Sequence, residues 1–137
     1  MPKNAPAPRH RILIIDDEES MRLLLARIVS KELHAEVQLA GTAEQALRLA
    51  GNYAYDAILL DLIMPGSGGF RVLKEIRDGS PNAATPIVIV SVVSDKASIE
   101  SCLAAGASAY HVKPVKRAEL VATVRAQLAA RRRNSKE

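Results

Sequence analysis

Five short apolar segments alternate with five amphipathic helical segments, and this alternation constrains the fold more than any other feature of the chain. The first apolar run, ILII at residues 12–15, is rich in branched side chains and fits a strand covered on both faces. The segment that follows places Met21, Leu24, Leu25 and Ile28 at helical spacing. The other predicted strands are AEVQLAG (35–41), AILLDL (57–62), PIVIVSV (86–92) and SAYHVK (108–113). This order predicts right-handed crossovers and a parallel sheet with helices on both faces.

Local signals predict the ends of two of the helices. Thr42 and Gln45 form a capping-box pair in front of the helical segment AEQALRLA, and Gly51 is predicted to end that helix. Gly79 is predicted to stop the later helical segment FRVLKEIRDG.

Size and composition favour one compact domain, because a chain of 137 residues with 48% hydrophobic content can form a single core. No stretch approaches the roughly 20 apolar residues of a membrane span, and the N-terminal segment lacks the apolar centre of a signal peptide. We therefore expect a soluble cytoplasmic protein. The single cysteine, Cys102, is expected to be a small buried hydrophobic residue.

The formal charge of +4 is concentrated at the two ends of the chain. Residues 1–11 carry +3 and residues 125–137 carry +4, which leaves −3 for residues 12–124. With one Phe, three Tyr and no Trp, the chain also has few aromatic side chains to stack on bases. Nucleic-acid binding by the core is therefore disfavoured. We interpret the run Arg131, Arg132 and Arg133 as a solvated helix end, with a nucleic-acid arm as the alternative.

Five polar side chains stand at the carboxyl ends of predicted strands. Asp16 and Asp17 follow the first strand, Asp61 the third, Ser91 the fourth and Lys113 the fifth. Each has an ordinary explanation, such as a helix cap, a loop hydroxyl or a solvated lysine. Their coincidence at one edge of one parallel sheet instead favours a shared site, because ligands of such sheets bind at that edge.

The residue types at this edge indicate phosphoryl transfer. Three converging carboxylates repel one another unless a cation lies among them, and Mg²⁺ or Mn²⁺ suits oxygen ligands of this kind. Lys113 adds a positive charge and Ser91 a hydroxyl, both able to contact a phosphoryl group. Asp61, at the end of a rigid strand, is placed to act as the nucleophile. Pro65 and three glycines turn the chain away from it, and Gly69 is expected to adopt a backbone conformation that disfavours a side chain.

The segments IIDDEE, LLDLIMPGSGGF and GASAYHVKP, with the strand-end Ser91, resemble the receiver domain of two-component response regulators over residues 11 to 128. The resemblance, which is to chemotaxis-regulator-like single receivers, implies an α/β, flavodoxin-like fold. That fold is a doubly wound five-stranded parallel sheet in the order 2-1-3-4-5 with five helices in three layers. We divide the chain accordingly into a flexible N-terminal tail (1–10), the receiver domain (11–130) and a basic C-terminal tail (131–137).

The resemblance also implies the roles of the site residues. Asp61 accepts a phosphoryl group from the phosphohistidine of a histidine kinase or a histidine phosphotransfer protein. Asp16, Asp17 and Asp61 hold the magnesium ion, with the backbone carbonyl of Ile63 as a further ligand. Lys113 contacts the phosphoryl group.

A conformational switch is implied as well. Ser91 and Tyr110 form the switch pair, which changes the face made by the fourth helix, the fifth strand and the fifth helix. That face would serve a downstream protein target or a phosphorylation-dependent homodimer. The peptide bond between Lys113 and Pro114 is expected to be cis. Such a protein assists its own phosphorylation and dephosphorylation and is not classed as an enzyme.

Three apolar residues depart from the family pattern. Val92 and Val93 follow the switch hydroxyl, where the first of these positions is usually small, and Ile63 stands where the family often has a polar side chain. We hypothesise that Ile63 and Val93 shield the acyl phosphate from water, so that spontaneous dephosphorylation is slow.

Two other classes of protein use related chemistry or a related fold. Aspartate-nucleophile phosphatases resemble DxDGT-like patterns, with a second acid two residues after the first, whereas Ile63 occupies that position here. A flavodoxin-like cofactor site needs a phosphate cradle after the first strand, whereas residues 16–19 are four acids. Both alternatives are therefore less favoured than a receiver.

Partner choice and output are less constrained by the sequence. Exposed positions on the first helix, such as Arg22 and Ala26, are expected to set the choice of kinase. The chain is interpreted either as a stand-alone receiver or as a receiver segment of a longer DNA-binding or enzymatic response regulator.

Overall fold

The computed structural model of the chain describes residues 10–135 as one alternating series of strands and helices. Apart from His10, the predicted N-terminal tail lies outside the described residues, as do residues 136 and 137. The strands are β1 (His10–Ile15), β2 (Ala35–Ala40), β3 (Ala57–Leu60), β4 (Ile87–Ser91) and β5 (Ala109–Val112). The helices are α1 (Glu19–Leu33), α2 (Ala43–Asn52), α3 (Gly68–Arg77), α4 (Lys96–Ala104) and α5 (Arg117–Ser135).

The sheet has the order β2-β1-β3-β4-β5, and every neighbouring pair of strands is parallel. The predicted fold class is therefore confirmed. Ile15 pairs with both Ala40 and Leu60, and Ser91 pairs with Val112. Because the strands end in register, the residues that follow them meet at one edge of the sheet, which we call the carboxyl edge.

Each face of the sheet has its own core, because successive strand residues point to opposite faces. Leu13 and Ile15 of β1 belong to the cluster that includes buried residues of α2, α3 and α4. Ile12 and Ile14 belong to the cluster that includes α1 and α5. The fold thus has three layers, with every residue of the central strands β3 and β4 buried, whereas the outer strands β2 and β5 are only partly buried.

The helix ends agree only in part with the sequence signals. The Thr42 hydroxyl accepts a hydrogen bond from the Gln45 backbone N–H at 3.1 Å, as the capping pair predicts. The predicted end at Gly51 is wrong, since α2 continues through Gly51 to Asn52. Gly51 is exposed and is not among the glycines with positive φ, so nothing there forces the helix to stop. After α3, Gly79 does adopt a left-handed conformation, with φ of 90°.

Helix α5 runs from Arg117 to Ser135, so the first part of the segment 131–137 is helical. Among residues 10–135, no helix has both the length and the apolar character needed to cross a membrane.

At the opposite edge of the sheet, before β3 and β4, lies a buried polar cluster that we call the amino-edge network. The Asn82 side-chain amide donates to the carbonyls of Ala50 and Tyr53, both at 2.7 Å. Its oxygen accepts from the Tyr55 N–H at 2.7 Å and from the Thr85 hydroxyl at 3.0 Å. All four hydrogen bonds join neutral groups, and they tie the end of α2 to the loop that leads into β4.

Candidate functional site

The carboxyl edge brings together the residues that the sequence placed at the strand ends. Asp16 follows β1, Asp61 follows β3, and Lys113 follows β5. One carboxylate oxygen from each of Asp16, Asp17 and Asp61 lies within 4.8 Å of the others. Two adjacent acids and a third more than 40 residues later in the sequence thus form one cluster.

Lys113 bridges the two buried acids of the cluster. Its ammonium Nζ lies 2.9 Å from Asp16 Oδ2 and 3.0 Å from Asp61 Oδ2. The side chains of Asp16 and Asp61 are 1% and 6% exposed, whereas Asp17 is exposed. With all groups charged, one ammonium offsets one of three carboxylates, so the cluster keeps an excess of negative charge.

The second oxygen of each buried acid is held by the backbone. Asp16 Oδ1 accepts a hydrogen bond from the Glu18 N–H at 2.9 Å, and Asp61 Oδ1 accepts one from the Ile63 N–H at 3.0 Å. These bonds fix the orientation of both carboxylates before any ligand arrives. Such preorganisation is typical of sites that stabilise charge.

Burial and neighbouring charges change the pKa of Asp16 and of Lys113. Burial raises the pKa of Asp16, against the opposing hydrogen bonds from Glu18 and Lys113. For Lys113, burial lowers the pKa, but the hydrogen bonds and charges of Asp16 and Asp61 outweigh it and raise the pKa above its usual value. Lys113 therefore stays protonated. For Asp16, the hydrogen bonds from Glu18 and Lys113 do not fully offset the cost of burying the ionised carboxylate.

The donor set fits a hard divalent cation. Three carboxylates at close range match Mg²⁺ or Mn²⁺, which prefer oxygen ligands and retain bound water. Exposed Asp17 opens one side of the cluster to solvent, so an ion bound there could keep water or phosphoryl oxygens as ligands. Ile63, whose backbone carbonyl was the predicted further ligand, lies in the same turn as Asp61.

The two predicted switch residues contact the same peptide segment. Ser91 is fully buried, and its hydroxyl oxygen accepts a hydrogen bond from the Val93 N–H at 3.3 Å. Tyr110 is half-buried and donates its hydroxyl to the Val93 carbonyl at 2.5 Å. Burial raises the pKa of Tyr110. Both side chains therefore hold the start of the loop between β4 and α4.

The loop after Asp61 differs from expectation in one respect. Gly69 lies in the first turn of α3 and is not among the positive-φ glycines, so the predicted unusual conformation at this residue is wrong. A Cβ on Gly69 would instead lie 2.3 Å from the Asp61 carbonyl oxygen and the Leu62 Cα. The left-handed residue is Gly66, with φ of 70°. Gly69 thus permits the close approach of α3 to the backbone that carries Asp61.

The three apolar residues that depart from the family pattern take different positions. Ile63 and Val93 line a groove of about 630 Å³ between the loop after β3 and helix α4, together with Phe70 and Cys102. Ile63 is 52% exposed at its mouth. Val92 is 60% exposed and is not a lining residue of that groove. Cys102 is 1% exposed, as expected for a buried hydrophobic residue.

The Lys113–Pro114 peptide bond is cis. Ala26 and Arg22, expected as exposed positions on α1, are only partly exposed, and Ala26 packs against the core. The Arg22 guanidinium donates to the Asp16 carbonyl at 2.9 Å. Sequence reasoning missed this contact, because the spacing of residues 16 and 22 does not reveal where a long side chain folds back.

Comparison with known proteins identifies the family. The family model described as the response regulator receiver domain matches residues 12–125. The chain therefore belongs to the response regulator receiver domain family of two-component signalling. Receiver domains of this family are phosphoacceptor switches that interact with histidine kinases and downstream effectors.

Curated relatives are longer than this chain. It is 38% identical over 116 residues to the sensory/regulatory protein RpfC of Xanthomonas campestris, covering 83% of this chain and 16% of that protein. It is 36% identical over 129 residues to the DNA-binding response regulator MtrA of Mycolicibacterium smegmatis, covering 94% of this chain and 54% of that protein.

Solved structures share the fold. A CheY-like receiver domain protein of Methanospirillum hungatei superposes with a TM-score of 0.84 at 26% identity, covering 90% of this chain and 97% of that one. The receiver domain of the sensor histidine kinase PA1611 of Pseudomonas aeruginosa, which has a magnesium ion coordinated in its active site cleft, gives 0.78 at 30% identity. That match covers 88% of this chain and 98% of the other.

Proposed function

We propose that Asp61 accepts a phosphoryl group from the phosphohistidine of a histidine kinase or a histidine phosphotransfer protein, in a reaction that depends on Mg²⁺ or Mn²⁺. The observation that carries this proposal is the convergence of three carboxylates within 4.8 Å of one another, two of which contact the ammonium of Lys113. The family membership supports it, because phosphoacceptance is the family's activity.

In the transfer step, a carboxylate oxygen of Asp61 forms a bond to phosphorus as the bond between phosphorus and the imidazole nitrogen breaks. The electron pair of that bond stays on the imidazole. The hydrogen bond from the Ile63 N–H and the contact with Lys113 hold the Asp61 carboxylate in place for the attack.

Asp16, Asp17, Asp61 and the backbone carbonyl of Ile63 would hold the metal ion. When bound, the ion would offset the excess negative charge and provide a ligand position for phosphoryl oxygens. Lys113, already bonded to Asp16 and Asp61, can move its ammonium to the transferred group as negative charge accumulates there.

The output follows from the contacts of Ser91 and Tyr110. A phosphoryl group on Asp61 adds acceptor oxygens that compete for the Ser91 hydroxyl, and this would disturb the loop that both switch residues hold through Val93. We propose that the change shifts the surface of α4, β5 and α5 between two states, for a downstream protein target or a homodimer.

Intact mass spectrometry after incubation with acetyl phosphate and Mg²⁺ tests the assignment. Wild type is expected to gain the mass of one phosphoryl group, and Asp61→Ala none. Asp78→Ala, which changes an exposed aspartate after α3, serves as the matched control and is expected to gain one. Equal labelling of wild type and Asp61→Ala would overturn the proposal.

We place the receiver function in residues 11–130 of a cytoplasmic protein. A second candidate is that these residues act as the receiver segment of a longer DNA-binding or enzymatic regulator, since the match spans 54% of MtrA and 16% of RpfC. An immunoblot of cells that express the native gene distinguishes the two by the size of the protein.

Sustained phosphatase activity is not favoured, since the position two residues after Asp61 carries the apolar side chain of Ile63, half of which faces solvent. Steady-state hydrolysis of a generic phosphoester, lost in Asp61→Ala, would reverse this preference.

A further inference from the structure

Every polar group of Asp16 is bound by another part of the fold. Its N–H donates to the Ala40 carbonyl at 3.1 Å, and its two carboxylate oxygens accept from the Glu18 N–H and from Lys113. Its carbonyl oxygen accepts from Arg22 Nη1 at 2.9 Å. Arg22 lies in the first turn of α1, so this hydrogen bond joins that helix to the backbone of the site.

The neighbouring acid is held quite differently. Asp17 is exposed, and among the side chains and backbone groups that the structure describes no donor hydrogen-bonds to its carboxylate. Its position relative to Asp61 therefore depends on the peptide unit that joins it to Asp16. The carbonyl of that peptide unit is the acceptor of the Arg22 hydrogen bond.

Gly41 provides the space in which the Arg22 guanidinium lies. A Cβ on Gly41 would lie 2.8 Å from Arg22 Nη1 and 3.2 Å from its Cζ. Gly41 is not among the positive-φ glycines, so its backbone conformation would accept a side chain. Its N–H donates to Gln45 Oε1 at 2.9 Å, which fixes the turn between β2 and α2.

We propose that Arg22 is a positioning residue for the metal site: it holds the Asp16–Asp17 peptide so that the Asp17 carboxylate converges with those of Asp16 and Asp61, and Gly41 leaves room for it to do so. This inference rests on the proposed function, since it concerns the affinity of the same site for Mg²⁺. Groups behind metal ligands commonly have effects of this kind, because they orient the ligands.

The positive charge of Arg22 and its proposed positioning role have opposite effects on the affinity for Mg²⁺. A guanidinium bound to the Asp16 carbonyl repels a divalent cation at the adjacent carboxylates, so a role through charge alone predicts that removing Arg22 tightens Mg²⁺ binding. A positioning role predicts weaker binding. The two explanations therefore differ in the sign of the change.

Isothermal titration calorimetry with MgCl₂ measures that sign. Arg22→Met is expected to raise the Kd for Mg²⁺ about tenfold, the lower end of the usual range for such groups. Arg22→Lys, which keeps a donor, is expected to restore part of the loss. Arg27→Met, an exposed arginine on the same helix, is the control and is expected to bind as wild type.

Gly41→Ala is a second test variant, and it keeps the positive charge of Arg22. The added methyl meets the far end of a flexible side chain, so Arg22 rather than the backbone is expected to move. We expect a similar rise in Kd with an unfolding free energy close to that of wild type. Gly51→Ala, where a Cβ meets nothing within 4 Å, is the matched control. In the Arg22→Met background, Gly41→Ala should produce no further loss.

The rate of phosphorylation at saturating Mg²⁺ separates this role from general damage to the fold. At saturating Mg²⁺, phosphorylation of both variants by acetyl phosphate should return to the wild-type rate, since affinity and not the reacting groups has changed. If wild type binds Mg²⁺ and the Arg22 and Gly41 variants bind it equally well or more tightly, the positioning role is overturned and the proposed function stands. If wild type binds no Mg²⁺, the proposed function is overturned together with it.

Discussion

The two edges of the sheet both contain buried polar groups, but these groups are paired differently at each edge. At the amino edge, the Asn82 side-chain amide makes four hydrogen bonds to neutral partners, and the residue is 0% exposed. At the carboxyl edge, Asp16 and Asp61 are almost as buried, yet they share one ammonium and lie beside a third carboxylate. The first edge is complete without a ligand, whereas the second has charge that a bound cation would offset.

This contrast separates stability from function within one fold. Neutral groups with matched partners stabilise the folded state and leave nothing to bind. Uncompensated negative charges destabilise the metal-free state and provide affinity for a cation, and a bound cation would in turn attract phosphoryl oxygens. Substitutions at the two edges should therefore change different measured quantities.

The largest effect is expected for Asn82→Ala. The substitution leaves two carbonyls, one N–H and the Thr85 hydroxyl without the Asn82 partner in a buried position, and we expect a loss of about 3 kcal/mol in the free energy of unfolding. Urea denaturation measures it. Asn52→Ala, which removes a single exposed hydrogen bond to Arg48, is the control and should lose much less. A loss no larger than that of the control would contradict the account of the amino edge.

Magnesium should stabilise the protein only through the carboxyl edge. At a concentration of about one hundred times its Kd, Mg²⁺ is expected to raise the free energy of unfolding of wild type by about 2.7 kcal/mol. Asn82→Ala should gain the same amount, because its metal site is intact, and Asp17→Asn should gain far less. Urea denaturation with and without MgCl₂ checks this. Equal gains in all three proteins would show that the ion acts elsewhere.

A smaller effect is expected at the groove beside Asp61. Ile63 and Val93 both line it, so Ile63→Asn and Val93→Ala should admit water and shorten the lifetime of the phosphorylated protein several-fold. Loss of radiolabel after removal of the phosphate donor measures the lifetime. Val92→Ala is the control, since Val92 is not a lining residue. If both groove variants keep the wild-type lifetime, shielding is wrong.

The smallest effect concerns β5, the strand that leads from one edge to the other. His111 contacts the Thr123 hydroxyl of α5 at 2.8 Å, and burial lowers its pKa, opposed by Glu119. A lowered pKa in the folded state favours the neutral imidazole, so this stability is present above the unfolded pKa of about 6.5 and is lost as the pH falls through the folded pKa.

Replacement by His111→Gln should therefore weaken the dependence of stability on pH between about pH 8 and pH 5. Urea denaturation across that range in both proteins measures the two slopes. Identical slopes would show that His111 contributes nothing to the pH dependence.

The carboxyl edge could be predicted well from the sequence because its acids stand at strand ends. A run such as ILII followed by Asp16 shows both the strand and the residue that leaves it, and parallel pairing places all such residues together. The same logic located Asp61 and Lys113. The amino-edge network was not predicted, since Asn82 and Thr85 lie in a loop where no periodicity marks a buried side chain.

The glycines likewise divide into those whose role is local in sequence and those whose role depends on tertiary contacts. Gly79 adopts the left-handed conformation that a helix stop predicts, because that signal is local. Gly51 resembled a stop as well, but the helix continues through it. Gly69 and Gly41 are needed for what approaches them from elsewhere in the chain, namely the backbone at Asp61 and the guanidinium of Arg22.

The sequence by itself determined the alternation of strands and helices, the parallel sheet and the edge at which Asp16, Asp61 and Lys113 meet. These follow from side-chain periodicity and from the direction of each strand, which are properties of contiguous segments. Only the tertiary structure decided that Arg22 reaches the Asp16 carbonyl across Gly41 and that Asn82 completes the opposite edge. The space for Arg22 at Gly41 and the contacts of Asn82 depend on the distance between segments remote in sequence, and packing of the whole domain sets that distance.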